Sequence, residues 1–419
     1  MLMTIRKVMK LIRNAWRDFA SKDCFQLLDI LWILGGGSLN LPSQGWKRGV
    51  FFLWHGLTAF HFGISLFNVV GKVTTGDSFS MTMWYLSFTA ATSVCLIKML
   101  FMWHHDQAIQ QVIAYLDSKC NLSGDVQHDR SVREKYFTRA RITIRIIFGL
   151  MAVYQVLFSI PHPQQDKLYH FPLLAYIGTP WLRQLVQFLY ISTIPVIWFS
   201  KYFWCTGMIV VILMNFQAEL KILIHKFRAV LERMESSMST EPFEPENDPD
   251  RIQAETVLWN QLSADVGLAI EQHVEFIGFF QSVQPILGVS FLLYYYFALA
   301  TYASVLFLIL NEPISFVTIF QATSVLGSVL ECYLICLLVD NFQEMNEEIQ
   351  TIARDICIGM PHSDEHHSSY DGMRATMMII ILSNDSLISC AGVFDISVET
   401  FAGLIDTSYS YLTFLLSFR

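Results

Sequence analysis

The sequence has few charged residues and no signal-peptide pattern. Asp, Glu, Lys and Arg make up 15% of its 419 residues, against about 25% in soluble domains. Its first 22 residues are basic and only intermittently apolar, unlike a secretory signal. Hydrophobic residues reach 53%, with 33 Phe, 16 Tyr and 10 Trp. This balance excludes an ordinary soluble domain and predicts a membrane protein with aromatic side chains at the interfaces.

The eight cysteines form no metal-ligand or redox motif, and no nucleophile–base pattern appears elsewhere. They are scattered and fall mostly within or beside apolar runs, so we interpret them as buried thiols. The His-rich residues 360–370 fit no standard metal spacing and are interpreted as a solvated loop. The sequence therefore predicts neither an enzyme nor a cofactor or metal site. The cysteines are Cys24, Cys95, Cys120, Cys205, Cys332, Cys336, Cys357 and Cys390.

Apolar runs long enough to cross a bilayer recur along the chain. They lie at 50–70, 81–103, 142–160, 184–214, 276–310, 315–340 and 374–418. The fourth, fifth and sixth adjoin polar stretches with a helical period, which predicts helices projecting beyond the membrane. The seventh is interrupted, and we divide it into a short segment at 374–389 and a spanning helix at 393–418. Residues 104–145 are treated only as a connection.

Lys and Arg are distributed unevenly between alternate connections. Residues 1–48, 104–145, 215–273 and 341–374 hold eight, seven, five and two, whereas the opposite connections and the C-terminus hold four together. The positive-inside rule then predicts an all-α protein with seven spans, a cytoplasmic N-terminus and an extracellular C-terminus. The predicted divisions are a cytoplasmic segment 1–47, spans 1–4 at 48–214, a cytoplasmic region 215–275 with an acidic loop at 235–251, spans 5–6 at 276–340, a cytoplasmic region and short helix at 341–392, and the last helix at 393–419.

The last helix carries acidic and hydroxyl side chains along one stripe. At about 100° per residue, the stripe members fall within a narrow arc, and Phe401, Leu404 and Leu412 lie away from it. Charge inside a spanning helix avoids lipid, so the stripe either lines an aqueous path or packs against other helices. Its members are Asp395, Glu399, Asp406, Ser410, Thr413 and Ser417.

The end of this helix resembles a known family signature. Ser410-Tyr411, five residues and then Ser417-Phe418 are similar to the Thr-Tyr and Gln-Phe pairs that close insect gustatory receptors. The longer sequence pattern, with Phe394, Ser397 and Phe401 before SYSYLTFLL, resembles insect odorant receptors more closely. The chain is thus similar to an odour-tuning subunit of that family, without the long insertion of the co-receptor between the fourth and fifth helices.

That resemblance implies a ligand-gated, nonselective cation channel. Four subunits would surround a pore lined by the last helix, in a heterotetramer with the odorant receptor co-receptor. The implied partners are a small volatile odorant, the lipid bilayer and permeating cations, with no cofactor and no nucleic acid. The implied location is the plasma membrane of the dendritic cilia of olfactory sensory neurons.

The resemblance and the stripe together give candidate pore residues. These are Ser410, Thr413, Phe414, Ser417 and Phe418, near the outer end of the last helix. Asp395 and Glu399 lie nearer the cytoplasm, where they would attract cations to a vestibule or, alternatively, cap or pair at the helix start.

The resemblance also implies an odorant pocket among helices two, three, four and six. A wall of aromatic side chains and Met with few polar groups suits a small apolar ligand, although for any one of these residues ordinary helix packing or lipid contact is favoured over ligand contact. The candidates are Trp84, Tyr85 and Phe88; Met151, Tyr154 and Phe158; Ile191, Ile194 and Trp198; and Phe320, Thr323 and Gly327.

Three charges fall inside other spans. Lys98 is expected to extend to the cytoplasmic interface, and Lys201 and Glu331 either serve gating or pair with polar groups. Among other functions, a gustatory receptor channel shares the fold and mechanism. A G-protein-coupled receptor would have its N-terminus outside and an Asp-Arg-Tyr after the third span, and a transporter would show repeated halves.

Overall fold

The computed structural model describes residues 24–35, 45–75, 79–118, 121–160, 163–239, 249–311, 316–360, 367–383, 388–390 and 392–417. These residues are almost entirely helical, and the only extended pairing among them is an isolated bridge between Ser389 and Asp395. The predicted all-α fold is confirmed.

Eleven α-helices are described in this part of the chain. They are α1 (Cys24–Gly35), α2 (Gly45–Thr75), α3 (Phe79–His104), α4 (Asp106–Ser118), α5 (Val126–Phe158), α6 (Pro163–Leu168), α7 (Pro180–Ser239), α8 (Pro249–Asn311), α9 (Phe316–Gly359), α10 (His367–Ser383) and α11 (Val398–Leu416), with a 3₁₀ turn at Pro172–Tyr176 between α6 and α7.

Six of the described helices are long and apolar enough to cross a membrane. The stretches are Arg48–Thr75, Met81–His104, Val126–Phe158, Pro180–Ser236, Trp259–Phe307 and Ala322–Gly359. They are the first six predicted spans. The seventh, α11, has 19 residues and is more polar because of its stripe. The apolar part of α7 is 94% buried, so α7 is the central helix of the bundle, with α1, α5 and α9 packed along it.

The longest helices extend far beyond one bilayer. α7 has 60 residues and α8 has 63, which is about 90 Å each, against about 30 Å of hydrocarbon. Their polar ends pack together, with ion pairs of Arg233 with Asp265 and of Arg228 with Glu348 joining α7 to α8 and α9. The prediction that the fourth, fifth and sixth spans continue as polar helices is confirmed.

A fourth extension was missed in the sequence. α5 begins at Val126, so residues 126–145 are not a simple connection. The Asp125 carboxylate accepts hydrogen bonds from the amides of Gln127 and His128 and starts the helix. These bonds to its charged form lower the pKa of Asp125.

A buried ion pair fixes this extension to the central helix. Arg133 of α5 donates from Nε to Glu219 Oε1 of α7 at 2.7 Å and from Nη2 to Glu219 Oε2 at 2.9 Å. Nη2 also donates to the Asn121 carbonyl at 2.6 Å. A buried, bidentate pair with a further acceptor tolerates little displacement, so α5 is held in register on α7.

Several helix ends differ from their predicted positions. Of the acidic loop at 235–251, the structure assigns residues 235–239 to α7 and 249–251 to α8, and residues 240–248 lie outside the described part. α10 begins at His367, so the predicted loop 360–370 is shorter; its His362 and His366 lie outside the described residues. α11 begins at Val398 rather than 393, because Gly392 turns the chain at φ 77° and Ser397 caps the helix.

The expectation that Lys98 extends to the membrane interface was wrong. Its side chain is buried, with Nζ 4.8 Å from the centre of the Tyr294 ring. Cation–π attraction to the surrounding rings replaces part of its hydration. Lys201 is also buried and donates to the Gly35 carbonyl at 3.3 Å, and Glu331 accepts from the Thr206 hydroxyl. Both charges therefore pair with polar groups, which was one of the two alternatives.

Candidate functional site

A cluster of aromatic and aliphatic side chains lies between the first four spans. Seven predicted ligand residues belong to it: Trp84, Tyr85, Phe158, Ile191, Ile194 and Trp198 are buried in it, and Phe88 packs against it. We call this the aromatic cluster. The sequence did not indicate that α2 also contributes, through Ile64. Its signal was weak because α2 is apolar on many faces.

The centre of the aromatic cluster is Tyr169, which the sequence analysis did not select. Its ring centroid lies 5.8 Å from that of Trp84, 5.4 Å from Phe88 and 5.5 Å from Phe158. Burial raises the pKa of its hydroxyl well above the usual range, so the phenol stays neutral. Tyr169 lies in the connection between α5 and α7, where periodicity gives no signal.

Side chains of α2 and α7 hold the segment that carries Tyr169, and Asn68 of α2 donates to the His170 carbonyl at 2.9 Å. Gln187 of α7 donates to the Tyr169 carbonyl at 2.9 Å and accepts from the Phe171 amide at 3.1 Å. A side-chain amide thus makes the two hydrogen bonds that a neighbouring strand would make. Residues 169–171 are consequently fixed against α7, with the Tyr169 ring inside the aromatic cluster.

A few polar atoms in and beside the cluster have no hydrogen-bond partner within the described residues. They are Trp84 Nε1, Trp198 Nε1, Gln155 Oε1 and Ser192 Oγ, all buried. Gln155 donates to the Ser192 carbonyl at 2.9 Å, which places its amide between α5 and α7. Buried, unpaired donors and acceptors cost free energy, so these atoms favour a site that a polar group on a ligand completes.

The remaining predicted ligand residues lie outside the cluster. Met151 packs against the main core, and the Tyr154 ring lies 4.8 Å from that of Phe199. On α9, Thr323 and Gly327 are exposed, and a Cβ built on Gly327 would lie 3.9 Å from the Tyr154 hydroxyl oxygen. The side chain of Phe320 is outside the described part. The sixth span thus approaches the candidate pocket through Tyr154.

The polar stripe of α11 faces away from the helices of its own chain. At about 100° per residue, the buried residues of α11 lie about 120–200° around the helix from Ser410, and the exposed stripe lies within about 60° of it. The buried residues are Leu404, Ser408, Leu412 and Leu415. The exposed residues within about 60° of Ser410 include Glu399, Asp406, Thr413, Phe414 and Ser417, and Ile405, Tyr409 and Tyr411, farther around the helix, are exposed as well. Phe418 lies outside the described residues.

Hydroxyl groups on this stripe donate their hydrogen bonds to backbone carbonyls of the same helix. Ser410 donates to the Asp406 carbonyl at 3.1 Å, Thr413 to Ser410 at 2.7 Å and Ser417 to Phe414 at 2.7 Å. A hydroxyl oxygen has two lone pairs beyond its single donor. The uncovered face of α11 therefore presents oxygen acceptors, which are the groups that coordinate hard cations.

The start of α11 is fixed by residues other than those predicted. Ser397 Oγ accepts from the Thr400 amide at 3.1 Å, and Asp340 Oδ2 of α9 accepts from the Val398 amide at 2.9 Å. Asp395 precedes the helix, and both it and Glu399 have exposed side chains. The hydrogen bonds at this helix start therefore leave the carboxylates of Asp395 and Glu399 open to solvent.

Buried polar groups lie between the aromatic cluster and α11. Lys98, Thr206, Ser290 and Tyr294 line a small cavity that Ile396 closes beside the start of α11. The Tyr302 hydroxyl accepts from Ser328 at 3.1 Å, and Tyr294 donates to the Ser328 carbonyl. These bonds join α8 to α9.

Comparisons with known proteins agree with this architecture. A family model described as 7tm odorant receptor matches residues 78–409. The olfactory receptor OR5 of Machilis hrabei has a similar structure in complex with eugenol, with a TM-score of 0.71, 13% identity, 94% of this chain covered and 98% of that chain. Another structure of that receptor has a TM-score of 0.69 and 12% identity, with 100% of this chain and 99% of that chain covered. No curated protein matches the sequence significantly.

The family match covers most of the chain, and the shared fold extends over its whole described length. The family match selects the odorant receptor over the gustatory receptor. This chain belongs to the seven-transmembrane odorant receptor family.

Proposed function

We propose that this chain is the odour-tuning subunit of a ligand-gated, nonselective cation channel. The observation that carries the proposal is the uncovered polar stripe of α11. An acidic and hydroxyl face would be costly against lipid, yet the chain's own helices cover only the opposite, apolar face. The stripe is explained if subunits assemble with these faces toward a shared aqueous path.

In this proposal the permeation path passes two kinds of group. Ser410, Thr413 and Ser417 supply oxygen atoms toward the outer end, with Phe414 beside them and Phe418 beyond. The exposed carboxylates of Asp395 and Glu399 face a vestibule at the other end and raise the local concentration of cations. Neither group selects strongly by size, which is consistent with a nonselective cation pore.

The aromatic cluster is the proposed odorant site. Rings and aliphatic side chains supply the apolar wall, and the Trp84, Trp198 and Gln155 polar atoms supply one or two hydrogen bonds. The ligand class that fits is a small volatile molecule, mostly apolar, with one hydroxyl or carbonyl group. Eugenol, present in the similar OR5 structure, is of this class and is a suitable first probe.

Membership of the odorant receptor family supports a proposal for the assembly and its location. We propose a heterotetramer with the odorant receptor co-receptor in the ciliary membrane of olfactory neurons, with the N-terminus cytoplasmic. Asn121 lies in the sequon Asn121-Leu122-Ser123, which the proposed orientation places in the cytoplasm. Its side chain is buried and donates to the Tyr115 hydroxyl at 3.0 Å, so it is inaccessible to a glycosyl group. A glycosidase-sensitive mobility shift abolished by Asn121→Gln would overturn the orientation.

The proposal is tested by recording currents from cells that express the chain with and without the co-receptor. We expect volatile ligands to evoke current only in cells that express this chain together with the co-receptor. The reversal potential of this current should be the one expected for a channel that both Na⁺ and K⁺ permeate. In excised patches the current should not require GTP. A response that needs GTP, or that occurs with no change in membrane conductance, would refute the channel function.

A further inference from the structure

A cleft opens between three helices where their apolar parts give way to polar ones. Its walls come from α5, α7 and α9, and its volume is about 540 Å³. We call it the α5–α7–α9 cleft. Arg139 of α5, Lys221 of α7 and Asn341 of α9 line it, and all three side chains are exposed. Neither the odorant site nor the pore stripe includes these residues.

The two cations of the cleft are not neutralised within the described chain. Neither Arg139 nor Lys221 has an ion-pair partner within 4.0 Å there, in contrast to Arg133 and Arg228, which are paired. The Arg139 guanidinium lies 5.7 Å from the centre of the Tyr136 ring, which limits its freedom. Glu344 is the one acidic residue among the lining groups, so the cleft carries a net positive charge.

The cleft is apolar on its side toward the membrane. Ile142 and Leu337 line it and are 48% and 37% exposed. From Ile142 an exposed apolar ridge continues along α5 through Ile146 to Val153, and from Leu337 another continues along α9 through Leu330 to Leu326. Both ridges run away from the cations toward the centre of their spans. A ligand that matches the whole surface has an anionic head and hydrocarbon chains.

We propose that the α5–α7–α9 cleft binds the headgroup of an anionic phospholipid from the adjoining leaflet. Arg139 and Lys221 would pair with its phosphate oxygens, and the Asn341 amide would donate a hydrogen bond to the same group. The acyl chains would lie on the two apolar ridges. A soluble phosphate ester would use only the charged part of this surface, and basic pockets between spanning helices are general sites for phosphoinositide headgroups. The assignment to the cytoplasmic leaflet rests on the proposed orientation.

The test measures lipid binding to the purified full-length chain in neutral detergent. The probe is dioctanoyl phosphatidylinositol 4,5-bisphosphate, and inositol 1,4,5-trisphosphate is the soluble comparison. A cation near an anionic surface contributes roughly 1 kcal/mol, or about fivefold in affinity. We expect Arg139→Gln and Lys221→Gln each to weaken lipid binding about fivefold, and the double variant about twentyfold or more.

Matched variants separate this site from general attraction to positive charge. Lys135 is an exposed cation on α5 outside the cleft, so Lys135→Gln should change the affinity less than twofold. Glu344→Gln should strengthen binding, because it removes the acidic lining residue. The lipid should bind at least tenfold more tightly than the trisphosphate. Wild-type affinity in the double variant, or equal affinity for the trisphosphate, would overturn the proposal.

The measurement needs no odorant, co-receptor or current. Loss of lipid binding in the variants is therefore informative even if the chain proves not to be a channel. Conversely, an odorant-gated current with unchanged lipid affinity in the double variant would leave the proposed function intact and refute the lipid site alone. Elution as a single species from size-exclusion chromatography confirms that each variant is folded.

Discussion

Replacing Ser417 with lysine tests whether α11 lines the conduction path. Ser417 is exposed at the end of the polar stripe, and its hydroxyl donates only to the Phe414 carbonyl of its own helix. Substitution of an exposed residue of this kind changes folding stability by about 0.5 kcal/mol or less. We therefore expect Ser417→Lys to reach the membrane in normal amounts and to change conduction instead.

The size of the effect follows from Coulomb's law. A unit charge about 5 Å from a permeating cation raises its energy by roughly 0.8 kcal/mol in bulk water and roughly 3 kcal/mol at an effective dielectric constant of 20. These values correspond to a decrease in inward current between about fourfold and a few hundredfold. Co-receptor subunits in the same channel keep their own pore residues, so the decrease in inward current should lie nearer the fourfold end of this range.

Leu412→Lys is the matched comparison on the same helix. Leu412 is 8% exposed and packs with Ala303 and Phe307 of α8, so a lysine there would bury a charge against an apolar wall. We expect it to reduce surface expression. The assay is the whole-cell reversal potential under bi-ionic conditions, with surface protein quantified in the same cells. Wild-type conductance and reversal potential in Ser417→Lys, at normal expression, would refute the pore assignment of α11.

Three further predictions follow from the contacts described. Tyr154→Ala, which removes the ring beside Phe199, should shift odorant sensitivity about tenfold or more while responses to a co-receptor agonist persist; unchanged sensitivity to every active odorant would remove Tyr154 from the pocket. Glu219→Leu, which removes the carboxylate that neutralises the buried Arg133 guanidinium, should cost about 3–5 kcal/mol and lower the melting temperature, with partial recovery when Arg133 is also changed to leucine; equal stability of wild type and single variant would contradict this. Gln187→Ala, which removes the partners of the Tyr169 carbonyl and the Phe171 amide, should speed hydrogen exchange at residues 169–171, and unaltered exchange there would show that the segment is held otherwise.

Apolar length and helical periodicity were enough to predict the all-α fold and its long helices. Each apolar run is a local property of the chain, and the extensions of α7 and α9 keep a helical period that is visible in sequence. The missed extension of α5 lacks an apolar stripe wide enough to see, because Arg133 and Asp129 occupy its buried face. The carboxylate that pairs with Arg133 belongs to Glu219, 86 positions later, and a local sequence pattern does not reveal such a pairing.

The candidate sites show the same limit. Trp84, Phe158 and Trp198 were selectable because they lie on spans that the resemblance names. Tyr169 lies in a connection, and its central position depends on the hydrogen bonds of Gln187, which no periodicity reports. Asp395 was assigned to the stripe by assuming a helix from residue 393, and the turn at Gly392 places it before the helix begins.

One helix lies close to both candidate sites. α9 meets Tyr154 at Gly327 and holds the first turn of α11 through Asp340, thirteen residues farther on and about 20 Å away along its axis. A hydrogen-bonded helix is stiff over this length, so a displacement of α9 along its axis at Gly327 produces nearly the same displacement at Asp340. The time between ligand binding and pore opening would then depend on how fast α9 slides against the helices that pack on it. Substitutions on α9 between those two points, such as at Ser328 and Glu331, should change opening and closing rates more than they change ligand affinity.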